Sequence, residues 1–198
     1  VRVDTFAAPK KKQVFMLGTN DPAHFVTLRR HILSSFKHLP EMCEYLNRNT
    51  FTVAQKYGKD VALAIKHLGT DRLPKAYALK AKAEHVLHKI PFLPRYLPDI
   101  FLYYASKFFP QHLPKRLLKH NSDYEHMLIL VTADEAIEES RRYLQDEWNR
   151  IDGVGFFECS EQEQEAALLH RFSAAVAGIR YQNVPQRSTE EVLALDVA

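Results

Sequence analysis

Apolar positions in the first fifty residues change period twice. Gln13 to Leu17 is a short apolar run closed by Gly18, the pattern of a buried strand. Asp21 and Pro22 then stand where a helix N-cap and first helical residue belong, and Phe25, Leu28, Ile32 and Phe36 repeat at helical spacing. Pro40 ends that helix, and Glu41 to Leu46 predicts a second strand. The same succession returns further on. Glu125 to Val131 is strand-like, Thr132 with Glu135 carries a capping-box signature, and Ile137, Leu144 and Trp148 share one helical face. Gly153 to Cys159 predicts a fourth strand, Glu163 to Arg180 a long helix, and Val192 to Val197 a last strand. Two βαβ halves of this kind predict an α+β fold: an antiparallel sheet with helices on one face, in the ferredoxin-like manner.

Between the halves the chain changes character. Six of its ten prolines, Pro74, Pro91, Pro94, Pro98, Pro110 and Pro114, fall there, so the helices must be short. The best of them spans Pro74 to Ile90, where Leu79, Ala83, Val86, Leu87 and Ile90 form a narrow apolar stripe. Lys75, Lys82 and Lys89 border the stripe on one side and Lys80 on the other. A second helix, Asp99 to Phe109, sets Phe101, Tyr104 and Phe108 on one side with Lys107 adjacent, so aromatic anchors for a membrane interface stand beside positive charge.

Charge sharpens this division. From Lys56 to Lys119 there are 13 Lys and Arg against 4 Asp and Glu, a net +9, which leaves 14 basic and 20 acidic residues elsewhere, a net −6. The chain therefore divides into a first scaffold half, residues 1–55, a basic helical insertion, 56–120, and a second scaffold half, 121–198. Arg95, Lys115, Arg116 and Lys119 complete the cationic set. Lysines bordering an apolar stripe can lay their stems along it and hold their ammonium groups at lipid headgroup level. The same residues also suit the outer helix of a domain, or nucleic acid, although no recognisable nucleic-acid module is present.

Composition adds limits. A chain of 198 residues with 46% hydrophobic content can bury a sizeable core. No run approaches the roughly 20 apolar residues that span a bilayer, and no secretion signal is legible. The start at Val1 and the stop within an apolar segment read as cuts in a longer protein. Cys43 and Cys159 lack the spacing of a metal or redox pair and are expected as reduced thiols. His85 and His88 have no carboxylate or thiol companion, so no metal is expected. On the long helix, Leu169, Phe172, Val176 and Ile179 are expected to face the core, with Ala167, Arg171, Ala174 and Gly178 opposite. Small residues there would let another body approach Arg171, which could meet an anion or pair with a carboxylate of its own domain. There is no Gly-rich phosphate loop or nucleophile elbow.

Several strings resemble the membrane-binding, quinone-dependent D-lactate dehydrogenases. They are Leu68-Gly69-Thr70-Asp71-Arg72-Leu73-Pro74, the stretch Phe108-Phe109-Pro110-Gln111-His112-Leu113-Pro114-Lys115-Arg116, and Tyr124-Glu125-His126. Leu169-His170-Arg171-Phe172, Ile179-Arg180-Tyr181-Gln182 and Leu193-Ala194-Leu195-Asp196 belong to the same set. The resemblance implies the cap and membrane-binding portion of a peripheral FAD enzyme at the cytoplasmic face of a bacterial inner membrane. Such an enzyme oxidises D-lactate to pyruvate, with hydride passing from C2 to the flavin and electrons onward to quinone. It further implies that a flavin-binding domain elsewhere in the same chain holds FAD, so that this portion alone is inactive. The insertion would dock on anionic phospholipid. Arg171 would hold the substrate carboxylate, with His170, Arg180 and Glu44 near the same cleft. Where a second histidine is expected after His126, the chain has Met127.

Overall fold

A computed structural model describes residues 8–59, 62, 63, 66, 72–90, 97–108, 113–183 and 194–196. In chain order the elements are β1 (Lys12–Thr19), α1 (Ala23–Ser35), β2 (Met42–Asn47), α2 (Arg48–Tyr57), α3 (Leu73–His88) and α4 (Leu97–Ser106). Next come α5 (Lys115–Asp123), β3 (His126–Ala133), α6 (Glu135–Asp146), a 3-10 turn at Trp148–Arg150, β4 (Val154–Glu158), α7 (Glu161–Asn183) and β5 (Ala194–Asp196). All strand pairs are antiparallel, in the order β4-β1-β3-β2-β5. The two halves β1-α1-β2 and β3-α6-β4 thus interleave as the ferredoxin-like expectation requires, and β5 extends the sheet beside β2.

The chain forms two compact units. One is the sheet unit, with the described residues up to Arg48, Lys119–Gln164 and β5. The other is a helical unit, with the described residues of Asn49–Leu118 and Glu165–Leu193. The helical unit is larger than the segment set apart by charge, because α2 and most of α7 join it.

In the sheet unit, strand alternation sends Phe15, Leu17, Cys43, Leu128 and Leu130 to one face. They pack on Phe25, Leu28 and Ile32 of α1 and on Tyr143 and Leu144 of α6, closed by Trp148. Phe25 stacks on Trp148 with centroids 5.6 Å apart. Val14, Met16, Leu46, Met127 and Ile129 on the other face are also buried, which is why β1 and β3 read as continuous apolar runs. Gly18 and Gly155 are cross-strand partners on that face, and the Tyr124 ring lies over both, where a Cβ would meet it. Both cysteines are free and buried.

The insertion leaves and rejoins the sheet unit at a common point. The Arg48 guanidinium donates Nε–H to the carbonyls of Asn121 and Tyr124, each at 3.2 Å, and Nη2–H to that of Ser122 at 3.3 Å. Its backbone N–H reaches Glu125 O at 2.8 Å. These are carbonyls at the C-terminal end of α5, which a helix cannot satisfy by itself, and a cation there also suits the helix dipole.

Three local expectations change. Pro22 is the N-cap rather than the first helical residue of α1, while the Asp21 carboxylate accepts the Ala23 N–H at 2.9 Å. The Thr132–Glu135 capping box does not form. Pairing with β1 keeps Thr132 extended inside β3, so Asp134, with φ 47°, takes the N-cap position, and its carboxylate accepts the N–H groups of Lys10 and Lys11 instead. The third change concerns α7, where small residues pack on α2; of the expected core side Leu169 is partly buried, and the side chains of Val176 and Ile179 lie outside the described residues. Ala174 and Ala177 meet Val53, Ala54 and Tyr57 of α2, and a Cβ on Gly58 would come 2.9 Å from that of Ser173. Phe172, expected in the core, is 51% exposed. Only small side chains let two helices approach this closely, and that contact decides which side of α7 is inside.

Candidate functional site

The composition of α3 favours a helix: Pro74 sits in its first turn, where a missing N–H costs nothing, and Ala, Leu, Lys and Glu fill most of the later turns. Along its surface, Lys75, Lys82 and Lys89 repeat every seven residues and are exposed. Leu79 and Val86 repeat at the same interval between them, at 71% and 59% exposure, and Ile90 ends the row at 44%. Seven residues are close to two helical turns, so cations and aliphatic side chains alternate along one exposed line. Of the expected stripe, Leu79, Ala83, Val86 and Ile90 are therefore exposed beside Lys75, Lys82 and Lys89, and the side chain of Leu87 lies outside the described residues. The side chain of Lys80 and all of Arg95 lie outside the described residues.

Helix α4 packs against α3 and carries Phe101 and Tyr104, with Phe108 in the turn that follows, all exposed. The Lys107 ammonium sits 4.6 Å from the centroid of the Tyr104 ring. On α5, Lys115, Arg116 and Lys119 are exposed, while Leu113 and Leu117 nearby are buried. Among the described residues no helix is long and apolar enough to cross a membrane.

Of the four substrate candidates, His170, Arg171 and Arg180 belong to the helical unit and Glu44 to the sheet unit. His170 is buried, its ring 4.1 Å from that of Phe51 and its Nε2 3.1 Å from the Phe51 carbonyl. Those contacts give it a packing role between α7 and α2. Arg171, the next residue, is partly exposed and lies between Leu168 and Phe172, both exposed. Arg180 stands about 13 Å further along α7 at 1.5 Å per residue, and its side chain lies outside the described residues. Glu44 belongs to the sheet unit, in β2, paired with Ile129 and Asp196.

His126, from the string Tyr124-Glu125-His126, is held in place. Its Nδ1 lies 2.6 Å from the Tyr45 hydroxyl, and the two rings stack at 5.9 Å. Burial pushes the Tyr45 hydroxyl above its ordinary pKa, so the phenol keeps its proton. Met127 alternates to the opposite face and is fully buried, so an apolar side chain fills that position. The Tyr45–His126 pair has no signature in the sequence, because nothing local places residue 45 beside residue 126; only strand register does.

Among the described residues no group of three His, Cys, Asp or Glu is gathered. In the glycine-rich dinucleotide motif, open glycine backbone at a helix N-terminus receives the pyrophosphate. Gly18 and Gly155 lie beneath Tyr124, Gly58 abuts Ser173, Gly153 occupies a turn at φ 72°, and Gly178 is inside α7. None of these described glycines offers such a site, and Gly69 lies outside the described residues.

Comparison with known proteins agrees with the exposed basic helices. A family model described as D-lactate dehydrogenase, membrane binding, matches residues 14–198. The quinone-dependent D-lactate dehydrogenases of Haemophilus influenzae and Escherichia coli are 43% and 42% identical to the chain over 198 residues, and that of Corynebacterium glutamicum is 30% identical over 199. Each alignment covers all of this chain but only 34% or 35% of the relative, so the chain spans about a third of their length. By the extent of the family match and the level of identity, the chain belongs to the membrane-binding family of D-lactate dehydrogenases.

Proposed function

We propose that the chain is the cap and membrane-binding portion of a peripheral membrane flavoprotein that oxidises D-lactate to pyruvate and delivers electrons to quinone. The observation that carries this reading is the exposed line of alternating lysine and aliphatic residues on α3, in a chain that matches a membrane-binding family along nearly its whole length. The surface it meets is anionic phospholipid at the cytoplasmic face of a bacterial inner membrane, because the basic insertion carries +9 against −6 elsewhere. FAD belongs, in this reading, to the remainder of the parent protein, and the described residues contribute neither its phosphate site nor its ring pocket. Arg171 is proposed to hold the lactate carboxylate. His170, Arg180 and Glu44 are proposed as its supporting residues, with His170 acting from its buried place against α2. Lys75, Lys80, Lys82, Lys89, Arg95, Lys107, Lys115, Arg116 and Lys119 are the proposed cationic contacts.

Sedimentation with vesicles tests the lipid reading. Binding to phosphatidylglycerol vesicles is expected to exceed binding to neutral phosphatidylcholine, and to weaken steeply as salt is added. Equal binding to both lipids at physiological salt removes the electrostatic account. Tighter binding to duplex DNA than to anionic vesicles would favour a basic nucleic-acid-binding module instead.

A further inference from the structure

Phe101, Tyr104 and Phe108 succeed one another at spacings of three and four, and they are 70%, 40% and 90% exposed. A row of large bare rings is costly on a surface that meets only water. The row is also built to a shape. Lys107 N–H bonds Tyr104 O at 3.2 Å and Phe108 N–H bonds Ala105 O at 3.1 Å, so α4 ends in a tight turn that carries Phe108 at its tip. Lys107 folds back over the Tyr104 ring, which keeps a cation beside the rings. A dock that worked by charge alone would need solvated lysines and no such rings.

We propose that this row is an insertion wedge: Phe101, Tyr104 and Phe108 enter the boundary between headgroups and acyl chains of an anionic bilayer, while Lys107 and the α3 lysines stay at the phosphates. The proposal rests on the lipid-surface reading and deepens it, from contact with headgroups to burial of particular rings. Aromatic side chains favour the headgroup level, and a tyrosine there keeps its hydroxyl wet. Lysine can reach the phosphates from beside buried rings because its stem is apolar. Burial of apolar surface is not screened by salt whereas headgroup attraction is, so ionic strength separates the two contributions.

The test uses the whole protein with mixed phosphatidylglycerol and phosphatidylcholine vesicles. A Phe108→Trp reporter is expected to shift its emission to the blue on binding and to be quenched by lipids brominated along their acyl chains. Trp148, fully buried in the sheet unit, supplies a constant background. The double variant Phe101→Ser, Phe108→Ser is expected to keep most low-salt binding. At molar salt, where screening acts within about 3 Å, it is expected to lose about 100-fold of what binding persists. Because both residues are exposed, an unchanged melting temperature is the control for folding. Binding to anionic vesicles with no shift and no acyl-chain quenching at position 108 overturns insertion and leaves the electrostatic reading standing. No binding to anionic vesicles at any salt overturns both.

Discussion

Arg171 has surroundings that differ from those its spacing predicts. Of the small residues expected beside it, Ala174 packs on α2 and Ala167 is buried, while a Cβ on Gly178 would meet nothing within 4 Å; its chain neighbours Leu168 and Phe172 are exposed. If its guanidinium holds a carboxylate, Arg171→Ala in the whole enzyme removes a charge-assisted bidentate contact, and kcat/KM for D-lactate should fall roughly 30-fold to 1000-fold. Arg171→Lys should recover part of this, since a point charge cannot reproduce the planar fork. Steady-state oxidation with an artificial acceptor, run beside a thermal melt, measures both. Near-normal turnover in Arg171→Ala, or a loss that tracks unfolding, assigns the arginine to structure. A second residue-scale prediction concerns Glu139. Its carboxylate accepts the N–H groups of Lys37 and His38 at 2.8 and 3.0 Å, and the Lys37 bond is the main cause that lowers its pKa below the ordinary 4.5. A lowered folded-state value means stability that is complete above the unfolded value and lost as pH falls through the folded one. Glu139→Gln should therefore cost about 1 kcal/mol at neutral pH, allowing for partial exposure. The gap from the unmodified protein should close below the ordinary carboxylate range. Denaturant melts across that range decide it, and a gap that is constant with pH would remove the charge from the explanation.

At the scale of elements, the sheet unit depends on a tyrosine lid. Gly18 and Gly155 leave a groove across β1 and β4, and the Tyr124 ring, with burial raising its hydroxyl pKa, fills it beside His120 and Phe157. Gly18→Ala puts a methyl group where that rigid ring lies, and an overpacked site of this kind costs about 1 to 3 kcal/mol. In a Tyr124→Ala background the same substitution should cost much less, because the ring it meets is gone. A double-mutant cycle by urea denaturation measures this. An equal cost in both backgrounds would place the strain against His120, whose ring also lies near the added Cβ, or in the backbone of β1, rather than against the lid. The lid also lies next to the Arg48 clasp, so the point where the insertion enters and returns is fixed by hydrogen bonds to the end of α5. Neither feature has a local signature. The glycines read as turn or bulge residues, and Arg48 reads as one more surface cation.

Over the whole molecule, the separation of charge is what makes the lipid reading quantitative. Each lysine near an anionic surface contributes about 1 kcal/mol, so replacing Lys75, Lys82 and Lys89 by glutamine should weaken binding to phosphatidylglycerol vesicles roughly 100-fold at low salt. These side chains are exposed on one line, so the melting temperature should hardly move. A loss of less than about threefold would mean that α3 is not the face presented to lipid. Much of the fold is legible in the residues, for particular reasons. The apolar run of Val14 to Leu17 and the helical spacing of Phe25, Leu28 and Ile32 are set by local geometry and by which side chains water excludes, and both elements form where that pattern puts them. The charge boundary and the stripe on α3 are legible because exposed residues are free to follow composition. The packed side of α7 is not: apolar residues lie on all its sides, so periodicity selects no face, and the close fit of Ala174, Ala177 and Ser173 against α2 and Gly58 selects it instead. The strands, α1, α6 and the family that the strings resemble can be read from the residues alone, because each depends on positions near one another in the chain, whereas α2 and α5 are not among the elements that the pattern predicts. The strand order, the Tyr45–His126 pair, the lid over two glycines and the buried face of α7 come only from packing, because each depends on groups that meet once distant segments have come together.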